Sequence, residues 1–391
     1  MNTQTLYQKP TPFYKKLGWF DWLFAILSIL GAGFSQKYLA HHMDTYEVAI
    51  LWSTVVGIIL LGWFFKPLRL FLILSTSFAY LGIYSYQGDL NLGSGEQATF
   101  LLKYFVSSQA AIMWMCALTF LATLCYLIGT ILPKKNVEKT SNTALNLGSL
   151  LAWTAALMGT IGLLVRWHES YLISPDVGHI PVSNLYEVFV LFIVFTIIMY
   201  LYYEIKFHAQ RMGVFVFTLL SITVCFLLWY AIVRQAQEIQ PLVPALQSWW
   251  MKIHVPANFI GYGAFAIAAM LGVAQLLVLS HIGERFLPKA EVLEEVMYKA
   301  ISLGFLFFTI ATILGALWAA EAWGRYWSWD PKETWAFIVW LNYAIWLHLR
   351  LVSGWRGKVL AWWAVIGLLI TAFAFIGVNM FLSGLHSYGT L

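Results

Sequence analysis

Apolar residues in this sequence form long blocks that are separated by short polar segments. A block of about 17–25 mainly apolar residues is long enough to cross a lipid bilayer as a helix. The pattern predicts ten or eleven such helices and therefore an all-α polytopic integral membrane protein. The predicted spans are about 22–38, 47–65, 68–86, 107–132, 145–165, 186–205, 212–232, 257–280, 300–320, 335–352 and 360–381.

The distribution of Lys and Arg predicts the orientation of these helices. With eleven spans and a cytoplasmic N-terminus, 16 of the 23 basic residues fall in inner segments and seven fall in outer segments. Basic residues concentrate in the cytoplasmic loops of membrane proteins. The sequence therefore predicts a cytoplasmic N-terminus and a C-terminus on the outer side.

Composition narrows the class of protein further. Hydrophobic residues make up 61% of the chain and charged residues 10%, and the mean hydropathy is +0.74, which excludes a soluble domain of this length. The basic residues are spread through short loops and predict no nucleic-acid binding. Three cysteines lie in apolar blocks and no C-x-x-C-H haem-attachment site is present, so we expect neither a disulfide framework nor covalently attached haem.

Tryptophan is concentrated near the C-terminal end, where 10 of the 20 tryptophans lie between Trp318 and Trp363. Indole rings favour the membrane–water boundary, so an interfacial belt is one explanation. Residues 323–335, however, read W-G-R-Y-W-S-W-D-P-K-E-T-W, a compact segment that also carries Gly, Asp, Pro and Glu. A cluster of flat rings is also suited to a large flat ligand such as a porphyrin, whose iron takes axial ligands such as His.

The polar residues of this segment have two interpretations that do not exclude each other. Asp330, Pro331 and Glu333 match an N-cap, a proline in the first turn and a capping-box acid, which predicts the start of a helix. Arg325 and Lys332 are the basic residues of the segment, and cations at these positions suit the propionates of a haem.

Residues 323–335 resemble the tryptophan-rich "WWD" signature of haem-handling membrane proteins in cytochrome c biogenesis, and are most similar to the CcsA/ResC-type component of the system II cytochrome c synthase. The stretch G-H-I-P-V-S-N-L-Y-E at 178–187 and the histidines His254, His348 and His386 agree with that family. The resemblance covers roughly residues 145–391. It divides the chain into an N-terminal transmembrane region of about four helices, residues 1–140, and a haem-handling core, residues 141–391, with an outer Trp-rich loop at 318–335.

The resemblance implies a function in cytochrome c biogenesis. Haem b would be a transiently bound substrate, moved across or within the membrane and presented in reduced form for thioether attachment to apocytochrome c. The chain would act mainly by positioning haem, as part of a haem lyase. The implied partners are a CcsB/ResB-type membrane protein, apocytochrome c and, indirectly, thiol-reducing proteins. The implied location is the bacterial inner (cytoplasmic) membrane, with the attachment face periplasmic or extracytoplasmic.

The resemblance also implies which residues contact haem. His254 and His386 match the family's outer pair of iron ligands, and His348 matches an intramembrane ligand whose second histidine we expect from the partner subunit. A lone histidine at an outer position is more often a surface residue, and His348 alone would be explained by its reaching the inner interface near Arg350. The residues expected around the porphyrin are Trp323, Gly324, Arg325, Trp327, Trp329 and Asp330.

Other polar segments yield weaker expectations. Residues 166–185, which include Arg166, His168 and His179, are placed in an outer loop. Four residues either contact the haem edge or shape a turn held by Asn and Ser hydrogen bonds: His179, Asn184, Tyr186 and Glu187. His254 is expected at the end of a loop that contains an interfacial helix over 245–254. A short amphipathic helix is expected within 281–299.

Two other functions fit the same features. A b-type electron carrier would use two histidines to hold a permanent haem, and an exporter would release haem to a separate chaperone. A carrier retains its haem when apocytochrome is supplied, whereas a delivery protein loses it.

Overall fold

The computed structural model describes residues 17–38, 43–94, 99–131 and 142–384, and this part of the chain contains helices and no β-strand. Nine of the described helical segments are long and apolar enough to cross a membrane. The predicted fold class is therefore confirmed. The longer helices are α1 (Trp19–Tyr38), α2 (Thr45–Phe64), α3 (Pro67–Ser85), α5 (Ser108–Ile131), α6 (Thr143–Ile173), α7 (Leu185–Phe207), α8 (Gly213–Arg234), α9 (Met251–Leu279), α10 (Ala290–Trp323), α11 (Pro331–Leu351) and α12 (Lys358–Ala372), and α4 (Asn91–Ser94) and α13 (Val378–Phe381) are single turns.

The two remaining long helices, α1 and α11, are 20 and 21 residues long and are not among the nine. Helix α11 contains polar residues along its length, among them Asn342 and His348. The sequence predicted both segments as spans from their length and apolar content, and both stay predictions.

The chain forms two compact units, one ending at Leu74 and one beginning at Ser75. The first unit has a small core of Ala25, Ala32, Val55 and Ile59. Helices α1 and α2 approach closely at Gly62, where a Cβ would lie 2.5 Å from the ring of Phe24. The predicted division after residue 140 stays a prediction.

In the second unit, α7 and α9 are the most buried of the candidate spans. Helix α9 contains many Gly and Ala residues, which allow neighbouring backbones to approach in a membrane bundle. At Gly272 a Cβ would lie only 2.8 Å from the Ala361 carbonyl of α12. This close packing makes α9 the central helix around which α10 and α12 are arranged.

An ionic cluster joins four helices at the end of the second unit that lies away from the Trp-rich segment. Glu294 of α10 pairs with Arg350 of α11 at 2.7 Å and accepts bonds from Gln275 of α9 at 3.0 Å and the Gly357 N–H before α12 at 3.1 Å. One carboxylate therefore connects the ends of α9, α10, α11 and α12.

Several sequence-based boundaries were wrong because helices continue past the last apolar residue of a block. Helix α6 extends to Ile173, so Arg166 and His168 lie in a helix, not a loop. No interfacial helix forms over 245–254: Pro244–Leu246 is a 3₁₀ turn, and α9 begins at Met251 and includes His254. The helix expected within 281–299 is the first part of the 34-residue α10.

Candidate functional site

The Trp-rich loop is shorter than the predicted 318–335, because α10 continues to Trp323 and α11 begins at Pro331. Residues 324–330 form the loop between them. Gly324 ends α10 with φ 71°, a left-handed conformation that glycine adopts readily, and its N–H bonds to the Ala320 carbonyl at 3.0 Å. Asp330 caps α11, with Pro331 in the first turn and Glu333 completing a capping box. The helix start predicted from these three residues is confirmed.

Glu333 also folds the loop back onto α11. Its carboxylate accepts bonds from the Ser328 N–H at 2.7 Å and the Asp330 N–H at 3.2 Å. Trp329, between them, has φ 58°, which is uncommon for a bulky residue and costs of order 1–3 kcal/mol. The capping bonds therefore hold Trp329 in a strained conformation with 68% of its surface exposed.

A cavity of about 450 Å³, here called the Trp cavity, lies between the loop, α10 and α11. Its volume falls within the range of about 300–1,000 Å³ that is typical of small-molecule sites. The hydroxyls of Thr309 and Thr312 donate to helix carbonyls, so these residues present mainly methyl groups. The lining residues are Thr309, Thr312, Ile313, Trp327, Trp329, Phe337 and Trp340.

The rings of the Trp cavity support one another. Trp327 and Trp329 meet edge to face at 5.9 Å, and Phe337 stacks on Trp340 at 6.4 Å. The Trp340 indole N–H donates to the Thr309 hydroxyl at 2.9 Å and thereby links α11 to α10. The cavity is an organised aromatic surface whose walls come from three segments.

Of the remaining predicted porphyrin contacts, Trp323 and Asp330 are at least partly buried, whereas Gly324 and Arg325 are exposed. Trp323, Gly324, Arg325 and Asp330 are not among the residues lining the Trp cavity. Lys332, in the first turn of α11, is half-buried, and this burial lowers its pKa to about 8, although the Asp330 charge opposes the shift. Its charge state is therefore sensitive to pH near neutrality.

His254 lies in the first turn of α9 and faces α10. Its Nδ1 is 2.8 Å from the Ala311 carbonyl oxygen, which can only accept, so Nδ1 carries the proton. Its ring meets Trp318 edge-on at 5.8 Å, and a Cβ on Gly315 would lie 2.9 Å from its Cε1. Only a glycine at position 315 leaves room for the His254 ring. Because Nδ1 carries the proton, Nε2 is the ring nitrogen that has a lone pair.

His254 and the Trp cavity contact different faces of α10. The residues that touch His254 are Ala311, Gly315 and Trp318, whereas Thr309, Thr312 and Ile313 line the cavity. At 100° per residue the two sets are separated by about 150° around the helix. The structure therefore brings Trp327 and Trp329 together at one site and places His254 at another, with α10 between them.

The end of the described chain reaches the start of α11. A Cβ on Gly384 would overlap the Asp330 carboxylate and lie 2.9 Å from Pro331 Cδ, so this approach requires glycine. Gly384 is two positions before His386 in sequence. His386 itself, like His41 and His42, lies outside the described residues.

His348 is exposed on the last turn of α11. It shares its exposed face with Leu341 and Ile345, which are 38% and 44% exposed. This face is turned away from the helices that pack on α11 through Tyr343 and Trp346, both fully buried. A ligand held by His348 would therefore lie on the protein surface and not among the helices of this chain.

The stretch 178–187 forms a buried hydrogen-bonded turn. His179 bonds the Val177 carbonyl through Nδ1 at 2.6 Å and the Ser183 hydroxyl through Nε2 at 3.0 Å. Asn184 caps α7 by accepting from the Glu187 N–H at 2.9 Å. The geometry favours the interpretation of this stretch as a turn held by polar side chains.

A buried ion pair joins this turn to α6. Glu187 pairs with Arg166 at 2.7 Å, and both side chains are almost completely buried. Arg166 also donates to the Gln237 carbonyl at 2.7 Å and lies over the ring of Tyr186. These contacts connect α6, α7 and the segment after α8.

Sequence reasoning missed several residues of these sites. Phe337 and Trp340 were assigned to a span, although their spacing of three on α11 predicts one helix face. Gly315 carried no signal, since nothing in the sequence shows that a ring from α9 approaches it. Within the described ranges no cluster of three His, Cys, Asp or Glu side chains forms a metal site.

Comparison with known proteins shows what this chain is similar to. A family model described as cytochrome C assembly protein matches residues 182–386. The cytochrome c biogenesis protein CcsA of Synechococcus sp. (strain CC9311) is 36% identical over 296 residues, which cover 66% of this chain and 91% of that protein. CcsA of Chlamydomonas reinhardtii is 40% identical over 234 residues, 58% of this chain, and the match spans 64% of that protein, slightly less than two thirds.

The fold is similar to that of a solved structure. Cytochrome c heme lyase CcmF superposes with a TM-score of 0.52 at 17% identity. The match covers 70% of this chain and 49% of CcmF, so the chain spans about half of that protein. At this level of identity the likeness concerns the fold alone.

Proposed function

The chain belongs to the cytochrome c assembly protein family, and from this membership we propose that it acts in cytochrome c biogenesis by presenting haem to apocytochrome c. The observation that carries the proposal is the setting of His254. Its Nδ1–H is held by the Ala311 carbonyl, and Trp318 lies against its ring. A backbone bond on one imidazole nitrogen orients the other toward a metal, as in most His-ligated sites.

We propose His254 and His386 as the two axial ligands of the haem iron. His254 would coordinate through Nε2, the nitrogen without the proton. The approach of Gly384 to Asp330 supports the second ligand, because it brings the chain just before His386 to the start of α11. This is the same end of the bundle where His254 meets the last turns of α10. Asn258 adds a further polar atom one helical turn from His254: its Oδ1 is buried and has no hydrogen-bond partner in the described structure.

The aromatic contacts of the porphyrin divide into two groups. Trp318 touches His254 directly, so it would be the nearest indole to the iron site. Trp327 and Trp329 line the Trp cavity on the other side of α10. A porphyrin coordinated by His254 would contact these two rings only after the loop moved. The proposal that Trp323, Trp327 and Trp329 support the porphyrin is therefore tested separately from the iron ligands.

The proposed reaction needs positioning more than acid–base catalysis. Each cysteine thiol of a C-x-x-C-H segment adds across a haem vinyl group: a C–S bond forms, the thiol hydrogen passes to the second vinyl carbon, and no net electrons are transferred. Holding haem and apocytochrome at one place makes this addition effectively intramolecular. The histidine of the incoming segment would replace one of the two axial ligands.

His348 supports a second proposed haem contact, shared with another protein. Because its side chain is exposed on the outer face of α11, a ligand there could be completed by a neighbouring subunit. We propose that a CcsB/ResB-type partner supplies the opposing histidine. The haem would pass from this position to the His254/His386 site, which the charge distribution predicts to lie on the periplasmic side.

The test is the absorption spectrum of the purified chain with its partner, for the wild type and for the His254→Ala, His386→Ala double variant. We expect a low-spin reduced haem spectrum in the wild type and its loss in the double variant. His281→Ala is the matched control, because His281 is exposed in a loop far along the chain from either ligand. Equal spectra in the wild type and double variant would contradict the ligand assignment.

Two further arms separate the remaining possibilities. A Trp327→Ala, Trp329→Ala double variant that keeps the spectrum but transfers less haem would assign the Trp cavity to delivery. Adding apocytochrome c to haem-loaded protein should remove the haem in stoichiometric amount. Retention of the haem would indicate an electron carrier instead.

A further inference from the structure

The first unit contains a cavity of about 540 Å³, here called the α1/α3 groove, which the proposed haem function does not use. Its lining comes from the beginnings of α1 and α3 and the turn before α3. We propose that it binds an anionic phospholipid, with the phosphate at Lys66 and an acyl chain along α1. The lining residues are Gly18, Trp19, Phe20, Asp21, Leu23, Phe24, Leu27, Lys66, Arg69 and Ile73.

The charged end of the groove has an excess of one positive charge. Asp21 pairs with Arg69, which also donates to the Gly62 carbonyl at 2.7 Å and lies over the Phe24 ring. Lys66 is exposed and attracts the same Asp21 carboxylate at longer range, without a hydrogen bond or ion pair to any described residue. The Arg69 charge is therefore balanced within the unit, whereas the Lys66 charge is available to an anion from outside.

The rest of the groove suits a hydrocarbon chain. Phe20, Leu23, Phe24 and Leu27 recur at the three- and four-residue spacing of one helix face, and Ile73 faces them from α3. From Trp19 to Leu27 this stripe extends about 12 Å along the helix axis. The cations lie at one end of the groove and the apolar wall extends away from them. A phospholipid has the same arrangement, with a charged headgroup at one end and an acyl chain leading away from it.

The predicted orientation of the chain agrees with this occupant. Lys66 and Arg69 belong to the segments that the Lys and Arg distribution places on the cytoplasmic side, where anionic lipids attract basic residues. Trp19, 66% exposed at the same end, suits the headgroup region. A free phosphate would satisfy Lys66 but would leave the apolar wall of the groove uncovered.

The test is native mass spectrometry of the full-length chain with phosphatidylglycerol or phosphatidylcholine of the same acyl composition. We expect tighter binding of phosphatidylglycerol, and a fall of about fivefold in that affinity for Lys66→Gln, the typical effect of one basic residue at an anionic surface. Phosphatidylcholine binding should fall less, because its choline cation already offsets the phosphate charge. Arg285→Gln is the matched control, because Arg285 is an exposed cation in another loop predicted on the same side.

A second pair of variants tests the apolar wall. Leu27→Trp fills the groove and should weaken binding of both lipids, whereas Ile26→Trp, on the neighbouring exposed face, should not. Glycerol phosphate should not compete at concentrations where phosphatidylglycerol does. Equal affinity for the two lipids, equal losses for Lys66→Gln and Arg285→Gln, or equal competition by glycerol phosphate would overturn the proposal.

Discussion

The two signature stretches, residues 178–187 and the Trp-rich segment 323–335, use their side chains in different ways. In the first, His179 is buried and hydrogen-bonded through both ring nitrogens, and Glu187 forms a buried ion pair with Arg166. In the second, the acidic residues cap a helix, and that cap holds the exposed ring of Trp329. A distinctive motif can therefore stabilise a fold in one place and present a binding surface in another.

The same contrast holds for single histidines. Both nitrogens of His179 bond to groups within its own turn. His254 bonds through Nδ1 to a carbonyl on a different helix and thereby fixes which nitrogen has the lone pair. Burial and partners, more than the presence of histidine in a motif, distinguish a structural histidine from a candidate iron ligand.

The largest expected effect is at the buried ion pair of the first stretch. Arg166→Ala leaves the Glu187 carboxylate buried without its partner, which typically costs about 3–5 kcal/mol. We expect a large drop in the thermal unfolding temperature of the detergent-solubilised protein. Lys299→Ala is the control, because it removes an exposed pair with Glu295 worth at most about 1 kcal/mol. A stable Arg166→Ala variant that failed only in haem delivery would show that the first stretch serves delivery and not stability.

A smaller effect is expected for His179→Ala. The substitution leaves the Val177 carbonyl and the Ser183 hydroxyl without their ring partner, at a cost of about 1–3 kcal/mol in the free energy of unfolding. The haem spectrum per folded protein should match the wild type. His254→Ala should instead lose the haem spectrum and keep most of the stability of the fold. Loss of the haem spectrum in folded His179→Ala protein would show that this histidine contacts haem.

The cap of the Trp-rich segment is expected to contribute less. Glu333→Ala removes the capping-box acid and the bonds to Ser328 and Asp330, which costs about 1 kcal/mol. Glu333→Gln should restore most of this, since glutamine also serves in a capping box. Tryptophan fluorescence should report a more mobile loop in the alanine variant only. Equal fluorescence in all three proteins would show that the cap does not hold Trp329 in its conformation.

The smallest effect concerns Lys332 and pH. With a pKa of about 8, Lys332 is mostly charged at pH 7 and mostly neutral at pH 9. If its ammonium contacts a haem propionate, haem affinity should fall about two- to fivefold as pH rises through 8, the value of one partly exposed ion pair. Lys332→Gln should remove this dependence in a haem titration. The same pH profile in the variant would exclude Lys332 as the propionate contact.

The sequence predicted the membrane class because apolar blocks of sufficient length are visible without any tertiary information. It also predicted the start of α11, since Asp330, Pro331 and Glu333 act on neighbouring backbone groups. The boundaries of α6, α9 and α10 could not be predicted from the apolar blocks. Those helices end where their backbone bonds end, and polar residues such as Arg166 and His254 continue them beyond the apolar block.

The sequence by itself determined the helical class, the caps and the location of the two signature stretches, because each depends on residues close together in the chain. Only the tertiary structure decided that Arg166 meets Glu187, that Gly315 leaves room for His254, and that α10 separates His254 from the Trp cavity. These contacts join different helices. Their partners depend on how the helices are rotated against one another, and packing across the whole unit sets that rotation.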